Sequence, residues 1–464
     1  MRLVVVLAVL AAACAPTGAP VTAPPKVEAD LAIVGATVIH PERAGAAAVE
    51  HGATILVRGN RIAAVGRMAA PAGAKVIDAA GKWVIPGLVD SHVHFFQSGN
   101  LYTRPDAADF NAVVRYADET ARNKARLPVT FRTWLASGVT SVADVGGPFW
   151  NFTVRDAAAM SDAAPRVAVA GPLISMVDRV KLDLGDPPIV KTISPAAARA
   201  LVKRQLPHKP DFIKVWFIHQ KGDDLAAQEA IVRATAEEAH AAGIRLAVHA
   251  TELAVAKAAL RAGADILVHS VVDAAIDDEF IRLARERNAI YCPTIFVMTS
   301  YAMALSNQWM ATDAERRLAD PEVLGAMRDL ERIPKAKLPA RVAQLMDKPP
   351  SLAPSPVIFA NLRKAWEAGI PVAMGTDAGN IGALHGPSVF REMALMVEAG
   401  LTPLEVLRSA TVNGARVMGL ERNAGVIAPG RLADLVVLDA DPLADIGNAS
   451  RIHRVVKDGR VVAP

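Results

Sequence analysis

Short apolar, β-branched runs alternate with longer Ala-rich stretches through the middle of this chain, and the two patterns differ in period. The short runs occupy residues 83–89, 139–144, 166–170, 212–217, 245–249, 265–269, 289–294 and 371–377. Each has the length of a buried strand, while the stretches between them, such as 226–242 and 253–262, carry apolar residues at helical spacing. Several helical stretches stop at a glycine just before the next strand (Gly138, Gly243, Gly263, Gly369), as helix C-termini commonly do. Eight strand–helix units in succession predict an α/β fold, a TIM (β/α)8 barrel over residues 82–420. A doubly wound open sheet is the alternative, but no Gly-x-Gly-x-x-Gly follows any strand. Residues 300–355 interrupt the alternation before the eighth strand with a charged, helical insertion. Insertions at that position lie over the face where barrel enzymes work and often act as lids.

The two ends of the chain follow the strand period instead. Residues 31–39 read as a strand pair broken at Gly35, residues 54–65 as a hairpin turning at Gly59-Asn60, and residues 75–78 as a further short strand. Residues 433–439 and 452–462 are strands of the same β-branched type. The segments 31–81 and 421–464 are therefore expected to fold together into one small β-sandwich domain beside the barrel.

Composition is that of a globular protein with a large core: 52% of the 464 residues are hydrophobic and 21% charged. The net charge of +4 is interspersed along the chain, with no basic run of the kind that binds nucleic acid. A small-molecule substrate is the expected partner, and assembly into an oligomer is compatible with this composition. The first residues differ in kind. Arg2 precedes an apolar run, 3–13, too short to span a bilayer but of signal-peptide size. A Pro/Ala/Thr-rich stretch follows, so residues 1–13 read as a signal peptide and 14–30 as a flexible tether. Ala11-Ala-Ala-Cys14 resembles a bacterial lipoprotein signal, although Ala11 stands where a large aliphatic residue is usual. By that resemblance Cys14 is lipidated and anchors an exported protein, periplasmic or held at the outer membrane. Ordinary cleavage after an Ala-x-Ala site is the other reading. Cys14 and Cys292 are the only cysteines, so no intrachain disulfide is expected.

The chemistry-bearing residues cluster at strand ends. The first strand runs Trp83-Val-Ile-Pro-Gly-Leu-Val-Asp-Ser-His-Val-His94. Residues two apart on a strand share a face, so His92 and His94 converge as metal ligands must. The fourth strand carries Lys214, the fifth His249, the sixth His269 and the eighth Asp377, each at or near the end where barrel enzymes keep their active sites. Four of the chain's eleven histidines fall on this ring. Trp216 and His219, which follow Lys214, and His385, in the loop after the eighth strand, are candidate substrate contacts. Tyr291 and Arg179 are weaker ones. His40, His51, His208, His240 and His453 lie away from strand ends and read as ordinary residues.

This set resembles the amidohydrolase superfamily, and it does so in the first-strand motif and in Phe212-Ile-Lys-Val-Trp216, Val248-His-Ala250, Val268-His-Ser270 and Gly375-Thr-Asp-Ala-Gly379. Ser409-Ala-Thr-Val-Asn-Gly-Ala415 and the run from Gly425 to Val436 resemble it too. Within the superfamily the likeness is to the imidazolonepropionase-like and Xaa-Pro dipeptidase branch. The resemblance implies that His92, His94 and Asp377 hold one Zn²⁺ and that His249 and His269 hold a second. Lys214 would bridge them as an N-carboxylated lysine. A mononuclear site, or another divalent metal, is the alternative. An unmodified lysine has a pKa near 10.4 and is no ligand at neutral pH; deprotonating it costs roughly 4–5 kcal/mol, whereas carboxylation by CO₂ supplies an anion with two oxygens.

A metal lowers the pKa of bound water from about 15.7 to about 7. The expected function is therefore hydrolysis of a C–N bond, in an amide, dipeptide-like or N-acyl amino acid substrate, by metal-activated hydroxide. Asp377 would be the catalytic proton shuttle. The dipeptidase relatives tend to carry tyrosine where this chain has Trp216, which argues against simple dipeptide specificity. A cyclic amide, lactone or phosphotriester is an alternative substrate. A non-catalytic exported lipoprotein that binds metal or solute is an alternative of another class.

Overall fold

The computed structural model describes residues 28–463. The expected signal peptide, Cys14 and most of the tether lie outside the described residues. Among the described residues no helix is long and apolar enough to cross a membrane.

Both ends of the chain join one mixed sheet. It contains β1 (Leu31–Ile39), β2 (Val49–Arg58), β3 (Arg61–Gly66), β4 (Lys75–Asp78) and β5 (Trp83–Pro86) from the N-terminal side. The body of the chain supplies β6 (Leu88–Val93), β7 (Val139–Asp144), β8 (Arg166–Val169), β9 (Leu173–Ser175), β10 (Ile189–Lys191), β11 (Phe212–Trp216), β12 (Arg245–His249), β13 (Ile266–Val268) and β14 (Ile290–Cys292). From the C-terminal side β15 (Leu435–Leu438), β16 (Ile452–Lys457) and β17 (Arg460–Ala463) complete the terminal sheet. Its order is β17-β16-β15-β5-β1-β2-β3, with β4 also paired to β1. The terminal strands thus form one continuous hydrogen-bonded sheet rather than two stacked ones. Its apolar face has a core of its own, including Ile33, Val57, Leu435 and Val456.

Three local expectations are corrected. Residues 31–39 form a single strand, not a pair, and Gly35 marks a register irregularity against β2 rather than a turn. The first apolar run is two strands, because the chain changes sheets at Gly87. Pro86 pairs with Leu435 in the terminal sheet, whereas Leu88 pairs with Val139 in the body. Only glycine fits at that switch, since a Cβ there would lie 2.2 Å from Thr140 Oγ1. The terminal unit therefore extends to Pro86, five residues beyond the expected limit. The third correction is the short parallel pair β9 and β10, which the apolar pattern did not announce; β9 lies against β11.

The body is parallel α/β. Strands β6-β7-β8 form one ladder and β10-β9-β11-β12-β13-β14 another. The Asp211 amide donates to Val169 O at 2.9 Å, joining the segment before β11 to β8. Residues 371–377 lie between β14 and β6 without forming a long ladder to either. Tyr291 bridges to Val372 and Val93 to Ala378, and the Asp377 amide donates to His92 O at 2.7 Å. These bonds place residues 371–377 beside β14 on one side and β6 on the other. The four anticipated helix-stop glycines have φ between 71° and 117°, the left-handed region.

Period two sorts the strand side chains. Ile213 and Val215 of β11, with Leu246 and Val248 of β12, join the large core shared with the surrounding helices. Phe212 and Ala247 face the other way, into a second cluster with Ala143, Ala168, Cys292 and Ala373. Lys214 and His249 share the face of Phe212 and Ala247, so they stand above a floor of small and apolar side chains. The insertion is helical, as expected. Its helices, among them Val297–Leu305 and Ala340–Asp347, pack on Leu101, Phe110, Ile381 and Leu384. Those residues belong to the loops after β6 and after the eighth strand position, so the insertion rests directly on the rim of the site.

Candidate metal centre

Asp90, His92 and His94 alternate along the end of β6, and all three are buried. Asp90 anchors the neighbouring chain. Its Oδ2 accepts from Thr376 Oγ1 at 2.6 Å, and its Oδ1 accepts from the amides of Thr376 and His92 at 3.1 Å each. Burial pushes this carboxyl up to about 7 in spite of those donors. The result fixes Asp377 beside the two histidines. Asp377 Oδ1 lies 3.3 Å from His92 Nε2 and 3.2 Å from His94 Nε2. Ligand atoms from His92, His94 and Asp377 fall within 4.8 Å of one another.

The donors in this cluster do not satisfy one another. His94 Nδ1 donates to Gly146 O at 2.7 Å, which fixes the ring with its Nε2 facing the Asp377 carboxylate. Among the described residues His92 has no hydrogen-bond partner at either ring nitrogen. Burial is the largest influence on it and pushes its pKa down to about 3, so the ring is neutral. Ring nitrogens and carboxylate oxygens brought together in a buried site without other partners make a ready donor set for a cation. The residues fit a divalent metal.

His249, His269 and Lys214 lie beside this group. The His269 ring centre is 4.8 Å from that of His92 and 4.4 Å from that of His249. His269 Nδ1 shares a 2.7 Å hydrogen bond with Thr294 Oγ1 and stands 4.0 Å from Asp377 Oδ2. Burial drives both His249 and His269 well below their ordinary pKa. The Nδ1 of His249 and the Nζ of Lys214 are buried without a partner among the described residues. Burial lowers the Lys214 pKa to about 7. Backbone strain concentrates here, since His269, Thr294 and Asp377 are non-glycine residues at φ of 76°, 43° and 58°.

His94, Lys214, His249, His269 and Asp377 open into a cavity of about 360 Å³. One wall is the apolar cluster Leu173, Leu182 and Ile189 with Trp216 packed against it, supplied by the unanticipated β9–β10 segment. The helix Val297–Leu305 contributes Val297, Met298 and Tyr301. Trp216 is therefore a cavity residue, and the Arg179 guanidinium lies over its ring, 4.7 Å from the centroid. His219 and His385 are not among the residues lining this cavity. His219 Nδ1 bonds to Gln228 Oε1 at 2.7 Å. His385 donates from Nε2 to Gln97 O at 2.8 Å and stacks on Phe95, and it braces the loop from within. Tyr291 is buried, with its hydroxyl oxygen accepting from the Val271 amide at 3.2 Å. Arg104, Tyr301 and Asn380 also line the cavity, and the sequence reading missed them. Arg104 and Asn380 lie in irregular segments, where no period signals orientation, and Tyr301 lies on a helix of the insertion whose place over the cavity only packing decides. Asp90 was within reach, because it shares the alternation of His92 and His94.

Fold and site together define a parallel α/β scaffold that presents a divalent-metal site of histidines and a carboxylate. The chain belongs to the amidohydrolase family, whose model matches residues 83–462. It is 26% identical over 427 residues to an imidazolonepropionase of Geobacillus kaustophilus, covering 84% of this chain and 83% of that one. It is also 26% identical over 471 residues to an imidazolonepropionase of Symbiobacterium thermophilum, covering 93% and 97%. Among solved structures, a Xaa-Pro dipeptidase with bound methionine in its active site superposes with a TM-score of 0.69 at 23% identity, covering 94% of this chain and all of that one.

Proposed function

We propose that this protein is a metal-dependent hydrolase of a C–N bond in a small molecule that carries an apolar group beside the scissile bond. The observation that carries the reading is the buried convergence of His92 Nε2 and His94 Nε2 on Asp377 Oδ1, at 3.3 Å and 3.2 Å. The parallel ladders, with residues 371–377 between β14 and β6, support a closed (β/α)8 barrel as the scaffold. In the proposed site His92, His94 and Asp377 would hold one Zn²⁺ and His249 and His269 a second, with Lys214, as an N-carboxylated lysine, available as a shared anionic ligand. The burial of Lys214 favours that modification. With its pKa near 7 a substantial share of the side chain is the free amine, which adds CO₂ and releases a proton to give the carbamate.

When bound, the metal supplies Lewis acidity toward the carbonyl and water of lowered pKa. The protein's own residues do the rest. Asp377 Oδ2 accepts the proton of the nucleophile and returns it to the leaving nitrogen. Trp216, Leu173, Leu182 and Ile189 seat the apolar group and exclude water, which strengthens the electrostatics of the reacting centre. A cyclic amide is the second reading, favoured by similarity to imidazolonepropionases across most of the chain. A lactone or phosphotriester suits the same chemistry. A non-catalytic metal binder is disfavoured by family membership.

Metal analysis of purified protein, followed by turnover of N-acyl amino acids, dipeptides, cyclic amides, lactones and phosphotriesters with and without chelator, tests the proposal. Bound divalent metal and chelator-sensitive cleavage of an amide with an apolar substituent are expected. Metal without turnover of any C–N substrate overturns it. We further propose export with lipidation at Cys14; a Cys14→Ser variant that still incorporates fatty acid overturns that.

A further inference from the structure

We propose that Asn380 is a positioning residue that divides the labour of the two Asp377 oxygens, and that Arg104 and Tyr301 lock it in place. The inference rests on the metal site proposed above and goes beyond its ligands. Asn380 is buried, and its Nδ2 donates to Asp377 Oδ1 at 2.7 Å and to the Asp377 carbonyl at 3.1 Å. Its own Oδ1 accepts from Arg104 Nη1 at 2.7 Å and from the Tyr301 hydroxyl at 2.5 Å. A guanidinium can only donate, so the atom facing Arg104 must be the amide oxygen. The usual ambiguity of an asparagine flip does not arise here. Nδ2 is forced toward Asp377.

Arg104 is itself held. Its Nε and Nη2 each donate to Asp106 at 2.8 Å. Three stretches far apart in sequence thus meet on one amide: the loop after β6 through Arg104, the start of the insertion through Tyr301, and the loop after the eighth strand position through Asn380. The two donors on its oxygen, one of them cationic, polarise the amide and strengthen the Nδ2 bond to Asp377.

Asp377 has need of such a clamp because it sits in the left-handed region at φ 58°, where a non-glycine residue persists only if its surroundings hold it. The clamped atom, Oδ1, is the one that faces His92 and His94. Among the described residues no donor is bonded to Oδ2, and His269 Nδ1 stands 4.0 Å from it. Asn380 therefore keeps Oδ1 oriented for the metal and leaves Oδ2 free to carry the proton. Because Tyr301 belongs to the insertion, the insertion contributes to the geometry of the metal centre as well as to the cavity wall.

The test uses the metal-stripped full chain, Zn²⁺ as probe and a competing chelator. Wild type must first bind Zn²⁺; if it does not, the metal site itself fails, which is a separate outcome. Asn380→Ala, and Asn380→Leu of closer volume, should weaken Zn²⁺ binding about 10- to 100-fold, the usual effect of losing a group that orients a ligand. On any substrate turned over, kcat should fall while KM holds. Tyr301→Phe removes one of the two bonds to the amide oxygen and should weaken binding about two- to tenfold. A folded Asn380 variant that binds Zn²⁺ within twofold of wild type overturns the proposal. Tyr301→Phe with wild-type affinity overturns the role given to the insertion.

Discussion

Gly375 tests whether the metal centre depends on close packing beneath it. The residue lies two positions before Asp377, on the face directed at β6. A Cβ there would stand 2.6 Å from Cys292 Sγ, 2.9 Å from His92 Cβ and 3.0 Å from the His92 amide nitrogen. Non-bonded carbons prefer about 3.5–4.0 Å, so Gly375→Ala must displace His92 by about half an ångström or more. The displacement cannot be local. The His92 amide donates to Asp90 Oδ1 at 3.1 Å, and the His92 carbonyl accepts from the Asp377 amide at 2.7 Å. Both ligand-bearing segments have to shift together. Overpacking of this kind costs about 1–3 kcal/mol. A metal–ligand distance tolerates only about 0.2 Å, so Zn²⁺ affinity should fall tenfold or more. Guanidinium unfolding of the metal-free protein measures the first effect and chelator competition the second. A second substitution, Cys292→Ala, relieves the sulfur contact but not the two contacts to His92. It should recover part of the stability and none of the affinity. Gly375→Ala with wild-type Zn²⁺ affinity, or a double variant with affinity restored, refutes the reasoning.

Two other groups give independent tests. Glu392 is buried, and burial raises its carboxyl to about 8 although the amides of Ile295 and Phe296 donate to it at 2.8 Å each. Between the ordinary carboxylate range and pH 8 the native state holds a proton that the unfolded chain has released. Stability should therefore fall as pH rises through that window, by on the order of a few kcal/mol. Unfolding midpoints at pH 5 and pH 8 check this; Glu392→Gln should flatten the difference, and an equal slope in both proteins refutes it. Arg166, at the start of β8, bonds to Asp434 at 2.8 Å and Asp458 at 2.5 Å and ties the body to the terminal sheet. Arg166→Met leaves the buried Asp434 carboxylate without its cation and should cost about 3 kcal/mol in chemical unfolding. A loss below about 0.5 kcal/mol, the range of an ordinary surface substitution, contradicts that coupling.

Much of the site was legible because regular elements fix direction. In a strand the side-chain period is two, so His92 and His94 had to share a face, and Lys214 had to point opposite to Ile213 and Val215. In the parallel body each ligand at a strand's C-terminal end then converges on one place. The terminal sheet was legible for the same reason, except where a single glycine decides. Gly35 and Gly87 look alike as breaks in an apolar run. The first turned out to be an irregularity within one strand and the second a change of sheet, because what approaches each glycine comes from elsewhere in the chain: Thr140 at Gly87, and Ala80, 3.5 Å from a Cβ built at Gly35.

The sequence by itself therefore determined the alternation of the main body strands with helices, the α/β class, the association of both ends in one β unit, and the residues around which a metal can be held. It could do so because hydrophobic period and strand direction are local properties. Only the tertiary structure decided the apolar wall of Leu173, Leu182 and Ile189, the withdrawal of His219 and His385 from the cavity, and the lock of Arg104 and Tyr301 on Asn380. Those depend on loops, on two three-residue strands and on an inserted helix, all placed by distant packing. A loop residue carries no period that says where it points, and the three chains of contact that meet at Asn380 become neighbours only when the insertion settles onto the rim of the strands.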